Sequence, residues 1–210
     1  MEKQNYSDYD GTVRLHNMVM HTKVLGPETR TAIWFQGCRR RCPGCMSPAS
    51  RAMDGGRAVK VRDVVQAVLD LKDIEGVTIS GGEPFLQPYA LLDLLKSIRQ
   101  NSNLGVIIYT GNTLEELRGL NSNVVNEILD GYVDCLIDGE YIDELNDGMA
   151  LKGSGNQKVH FLTDRYLPYR QMYETRARNA EVIATEKDMF FVGIPAKETL
   201  QKWRKLSQDM

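Results

Sequence analysis

Cys38, Cys42 and Cys45 stand together in the stretch FQGCRRRCPGCMSP. The C-x3-C-x2-C spacing puts three thiolates on one short loop and leaves a tetrahedral ion one ligand short. A structural zinc site closes with four ligands, whereas a cubane iron–sulfur cluster held by three cysteines leaves one iron open to a substrate or cofactor. A zinc site completed from a distance by His16, His21 or His160 is the competing reading of the same trio. The fourth cysteine, Cys135, lies inside an apolar run over residues 133–137 and reads as a buried small hydrophobe.

Composition narrows the partners. The chain has 210 residues, 42% of them hydrophobic, which suits one sizeable core rather than two. With 26 basic and 28 acidic residues the net charge is −2, so no global field favours nucleic acid or an anionic membrane. No apolar run approaches the ~18 residues of a membrane span, and the first ten residues are polar and lack the core of a signal sequence. Three cysteines on one loop do not make a disulfide framework, and an exposed low-potential cluster needs a reducing compartment. A cytoplasmic location and oxygen-limited growth are the expectation.

The hydrophobic pattern alternates between two periods. After a β-rich entry over residues 13–25, strands are predicted at 33–35, 77–79, 106–109, 133–137 and 159–162. Between them, Val61, Val64, Val65 and Val68 keep helical spacing, as do Leu91, Leu94, Leu95 and Ile98. Two short helices follow at 113–119 and 124–129, with Thr113 as N-cap. Strands separated by helices predict an α/β chain with a mostly parallel sheet, wound as a partial barrel. In such sheets ligands gather at the carboxyl ends of strands, and four motifs fall there: the cysteine loop, Gly81-Gly82-Glu83, Thr110 and Asp138. The expected organisation is a polar segment at 1–11, a core at 12–163 and an extension at 164–210 packed on the core. That extension reads as two strands around Glu186-Lys187-Asp188 and a short amphipathic helix carrying Leu200, Trp203 and Leu206.

The cysteine spacing after the apolar run Ala32-Ile33-Trp34-Phe35 resembles the signature of radical S-adenosylmethionine (SAM) enzymes. Gly26-Pro27-Glu28-Thr29-Arg30, Ser80-Gly81-Gly82-Glu83-Pro84, Tyr109-Thr110-Gly111 and Asp138-Gly139, followed by residues 152–157, bring the likeness closer to the activating enzymes of anaerobic ribonucleotide reductase. The resemblance covers residues 12–163. It implies a partial (βα)6-type radical SAM barrel and one [4Fe–4S] cluster on Cys38, Cys42 and Cys45. SAM would be cleaved reductively to a 5′-deoxyadenosyl radical.

Further roles follow from the resemblance alone. Ser80, Gly81, Gly82 and Glu83 would bind SAM, with Glu83 accepting from its ammonium group and the glycines letting backbone approach the ligand. Gly44 and Met46 would lie against the cofactor, Met46 covering the adenine. Thr110 and Asp138 would contact SAM or a monovalent cation beside its carboxylate, and Ser154, Asn156 and Gln157 would shape the mouth. The partners implied are a glycyl radical enzyme such as anaerobic ribonucleotide reductase and a flavodoxin-type electron donor, docked on Arg39, Arg40 and Arg41. A radical SAM enzyme acting on a small molecule or short peptide, and a zinc-binding interaction module, are the alternatives. The ligand assignment predicts that Cys38→Ala, Cys42→Ala and Cys45→Ala each abolish stable cluster assembly and that Cys135→Ala does not. Iron and sulfide analysis after anaerobic reconstitution is the check.

Overall fold

Alternation of side chains along the central strands decides which element covers which face of the sheet. In the computed structural model, which describes residues 8–148, 151–175, 178–184 and 189–206, the main sheet has seven strands. They are β1 (Thr12–Thr22), β2 (Arg30–Phe35), β3 (Arg57–Lys60), β4 (Gly76–Gly81), β5 (Gly105–Tyr109), β6 (Cys135–Asp138) and β7 (Lys158–Phe161), in the order β3-β1-β2-β4-β5-β6-β7. The pairs β2–β4, β4–β5 and β5–β6 are parallel. The outer pairs, β1–β2, β1–β3 and β6–β7, are antiparallel.

Along β5, Val106 and Ile108 turn to one face and join Phe35, Ile79 and Leu136 in the largest apolar cluster. That cluster is completed by helices α1 (Val61–Leu69), α2 (Pro88–Asn101), α3 (Leu114–Gly119) and α4 (Asn123–Gly131). The helices connect successive parallel strands, as crossovers must. Thr113 caps α3 in a closed capping box: its hydroxyl accepts from the Glu116 N–H at 3.0 Å, and the Glu116 carboxylate accepts from the Thr113 N–H at 2.7 Å. Ile107 turns to the opposite face and packs with Cys135, Ile137, Tyr166 and Tyr173.

That second face is covered by the carboxyl-terminal part of the chain. Helix α5 (Arg170–Thr175) contributes the buried Tyr173. The antiparallel hairpin of β8 (Ala180–Ala184) and β9 (Met189–Gly193) brings Val192 against Val19, Val24 and Ala32. Glu181 fixes the hairpin to the end of β1, accepting from the Thr22 hydroxyl and the Lys23 N–H, both at 3.1 Å. Helix α6 (Lys197–Leu206) then stacks Trp203 on Phe191 with ring centroids 5.0 Å apart. The turn expected at Glu186-Lys187-Asp188 lies outside the described residues.

Two features depart from the sequence reading. β3 was not expected, because its RAVK sequence is too short and too exposed to show alternation. β7 runs antiparallel: among the described residues of its connection to β6 there is a short 3-10 turn at Asp143–Leu145 and no α-helix. Among the described residues no helix is long and apolar enough to cross a membrane.

At the amino ends of the parallel strands sits Arg30, with 0% of its surface exposed. Its Nε donates to the Thr78 hydroxyl at 2.7 Å and Nη1 to the Tyr166 hydroxyl at 2.7 Å. Nη2 donates to the carbonyls of Val77 at 2.7 Å and Gly105 at 3.0 Å. The Tyr166 ring also faces the guanidinium at 5.2 Å. Gly76 is required beside it, since a Cβ there would lie 2.4 Å from the Gly105 carbonyl and 2.6 Å from Nη2 of Arg30. Arg30→Met, which keeps bulk but strands these acceptors, should lower stability by at least about 3 kcal/mol. Urea unfolding of the cluster-free protein is the measurement.

Candidate active site

The carboxyl ends of β2, β4 and β5 open onto one cavity of about 540 Å³. Cys38, Cys42 and Cys45 line it from the loop after β2. Ser80 and Gly81 line it from the end of β4, Gly82 and Glu83 from the turn that follows, and Thr110 and Gly111 from the loop after β5. Met46 borders it as well and packs on the apolar cluster around Ala32 and Val192.

Backbone hydrogen bonds weld the cysteine loop to the Gly-Gly-Glu turn. The Gly82 N–H donates to the Phe35 carbonyl and the Glu83 N–H to the Gly37 carbonyl, both at 2.8 Å. The Gly37 and Cys38 N–H groups donate to Ser50 and Arg51 carbonyls at 2.8 and 3.0 Å. The glycines are needed for this junction, a role that the sequence reading did not give them. A Cβ on Gly81 would fall 2.3 Å from the Phe35 carbonyl oxygen, and one on Gly82 would fall 2.2 Å from the Gly37 carbonyl oxygen. Two glutamines escaped the sequence reading because nothing in their spacing marks them. Gln36 donates through Nε2 to Ala52 O at 2.7 Å, and Gln87 bridges Arg14 and Gln36 carbonyls at 2.9 and 3.0 Å.

Glu83 is buried, yet its carboxylate is held by four donor contacts. The Thr110 hydroxyl sits 2.9 and 3.0 Å from the two oxygens. The Gly111 and Phe85 N–H groups donate at 2.8 and 3.1 Å. Burial pushes the carboxyl above its ordinary range, and these donors oppose the rise. An ammonium group entering the cavity would strengthen the ionised form further.

Burial also raises the Cys38 thiol, and it pushes Cys42 up to about 11, with Glu140 adding to the effect. The Cys42 thiol donates to Glu140 Oε1 at 3.4 Å. Iron uptake on this loop therefore has to displace protons. Among the described residues no three His, Cys, Asp or Glu side chains group tightly enough for a single metal ion. His21 pairs with Asp73 and His160 with Asp138, each at 2.8 Å. Of the three histidines only His16 lines the cavity. Three soft thiolate donors around one cavity fit a [4Fe–4S] cluster, in which each takes a separate iron.

Other expected contacts fall elsewhere. Asp138 accepts from the Leu114 N–H at 2.6 Å, the Lys158 N–H at 3.3 Å and His160 Nε2 at 2.8 Å, so its carboxylate starts α3 and ties down β7, behind the residues that line the cavity. Ser154 is fully buried and accepts from the Ile142 N–H at 3.1 Å, and Asn156 donates to the Glu140 carbonyl at 2.8 Å. Gly44 lies off the cavity wall with φ +70°, where a Cβ would meet Asp143 at 2.6 Å. Of the three expected mouth residues Gln157 does border the cavity, beside Gly139 and Gly153. Arg40 is committed inside the site, bridging Glu116 at 3.0 Å, Asn112 at 3.2 Å and Glu140 at 3.2 Å.

The family described as "4Fe-4S single cluster domain" matches residues 24–160. The chain is 30% identical over 148 residues to the anaerobic ribonucleoside-triphosphate reductase-activating protein of Escherichia coli K12, covering 66% of this chain and 92% of that one. The Vibrio cholerae protein of the same name is 31% identical over 149 residues, covering 67% and 92%. The chain belongs to the radical SAM activating-enzyme family. The pyruvate formate-lyase-activating enzyme of Clostridium pasteurianum, 37% identical over 92 residues, shares 41% of this chain and 39% of its own.

Within this family frame the Gly-Gly junction makes a specific claim about assembly. Gly82→Ala adds one carbon that touches no thiolate but drives into the Gly37 carbonyl. It should cut iron retained per chain several-fold while Ser80→Ala leaves it near wild type, measured by iron content after reconstitution and desalting.

Proposed function

We propose that this protein is a glycyl radical activase: it cleaves SAM reductively and directs the resulting radical to a glycine of a partner enzyme of the anaerobic ribonucleotide reductase type. The observation that carries the reading is the placement of three thiols and the buried Glu83 carboxylate on one cavity wall. The family membership and the names of the relatives support the partner.

When bound, the [4Fe–4S] cluster supplies the electron that splits the sulfonium bond of SAM, giving methionine and a 5′-deoxyadenosyl radical. Cys38, Cys42 and Cys45 would hold that cluster. Glu83, oriented by Thr110 and Gly111, accepts from the SAM ammonium group and fixes the methionine end. Ser80 and Gly81 border the same ligand, and Met46 offers a polarizable side chain to the adenine. The parallel strands with helices on one face fit a partial (βα)6 barrel whose open side is covered by Tyr166, Tyr173, Val192 and Ile194 of the extension. The exposed Arg39 and Arg41 form a basic face for an acidic, flavodoxin-type donor. An oxygen-sensitive cluster of this kind belongs in a reducing compartment such as the cytoplasm.

Glu83→Ala removes a charge-assisted hydrogen bond of roughly 1.5–3 kcal/mol, so SAM should bind about 10- to 150-fold more weakly while cluster content holds. Titration of the cluster's electron paramagnetic resonance signal with SAM reads this. Reduced enzyme, SAM and a cognate reductase should together give a glycyl radical doublet on the larger chain. Deoxyadenosine formation that responds to a small molecule or peptide, with no doublet, would transfer the assignment to that substrate class.

A further inference from the structure

The cavity has two halves of different origin. Its thiol and Gly-Gly-Glu half lies wholly within the family match at residues 24–160. The other half includes His16 and Asn17 from β1, residues 189–194 from β9 and its end, and Trp203 from α6, all outside that match.

Both outlying pieces are built into position. The β1–β2 register slips between Leu15 and Asn17, so His16 is the extra residue of a β-bulge, a device that re-aims side chains beside active sites. On the same cavity, Val192 and Ile194 are buried against β1 and β2, while Met189 remains 41% exposed and Phe190, Phe191 and Trp203 are partly buried. The result is an anchored set of aromatic and thioether side chains lining the same cavity as an imidazole and an amide.

We propose that this half recognises the glycine-bearing polypeptide segment of the partner, with Met189, Phe190 and Trp203 receiving the apolar side chains that flank the glycine and His16 and Asn17 bonding its backbone. The inference rests on the activase reading above. A glycine has no side chain to grip, so a site that selects one must read backbone amides and neighbouring residues. Amide and imidazole groups suit the first task and an apolar wall the second. The cofactor's reacting end is already served by the half inside the family match, which leaves this half for what differs between substrates.

The test uses Met189→Ala, Trp203→Ala and His16→Gln in the full-length reconstituted enzyme with its cognate reductase. Each should raise the partner concentration for half-maximal glycyl radical formation about tenfold, the size of a typical interface anchor. SAM affinity and deoxyadenosine formed without partner should stay within about twofold of wild type. A second readout needs no cluster: a synthetic peptide spanning the partner's glycine loop should change the tryptophan fluorescence of cluster-free protein, and Trp203→Ala should lose that change. Should Trp203→Ala fail to fold, the exposed Met189 and His16 carry the comparison. SAM affinity falling in parallel would assign the wall to the cofactor, and unchanged partner dependence would make it packing only; either overturns the inference. Failure of the wild-type enzyme to form any glycyl radical is a separate result that removes the activase reading beneath it.

Discussion

A cationic side chain at the bottom of the sheet governs what the top can do. Arg30 is wholly buried, and its guanidinium is satisfied by hydroxyls of Thr78 and Tyr166 and by carbonyls that include those of Val77 and Gly105. Those partners come from β4, the start of β5 and the segment before α5, so one side chain locks the amino ends of three neighbouring parallel strands. Strand register has only discrete settings, and a slip of one residue would turn every side chain to the wrong face. Levelling the strands at their amino ends therefore also levels their carboxyl ends, where Phe35 faces Gly81 and Ile79 faces Ile108. The cysteine loop and the Gly-Gly-Glu turn meet because the strands beneath them are in step.

Much of this was legible in the sequence, and for physical reasons. Helices α1, α2 and α4 bury one stripe each, so their apolar residues recur at helical spacing. Thr113 announces the start of α3 as an N-cap through its residue type, and the capping box with Glu116 came from the structure. The cysteine trio is visible because metal ligands on one loop have to be close in sequence. β3 and the reversed β7 were not legible, since edge strands need no alternation and strand direction follows from the connecting loop rather than from the strand itself.

The site was legible as a list of residues but not as a set of roles. Glu83 and Thr110 do meet, in a carboxylate–hydroxyl contact that links two strand ends. Asp138 looks equivalent in sequence, a polar residue at a strand terminus, but three donors from neighbouring backbone and a histidine claim its oxygens. Gly81 and Gly82 carry a motif associated with ligand binding, yet it is the facing strand that leaves no room for a Cβ. Long-range roles such as those of Gln36 and Gln87 leave no local trace at all, because any residue able to donate twice would read the same in one sequence.

The junction of the cysteine loop with the rest of the chain has a consequence for survival in air. Gly37, Cys38, Gly82 and Glu83 are tied through backbone to Phe35, Ser50 and Arg51, and none of these bonds passes through iron. Losing the inorganic core to oxygen would thus leave a folded, preshaped cradle instead of a collapsed chain, and refilling it would cost little ordering entropy. Damage to such a protein is a matter of repair rather than replacement: a cell returning to anoxia can recharge the molecules it already has.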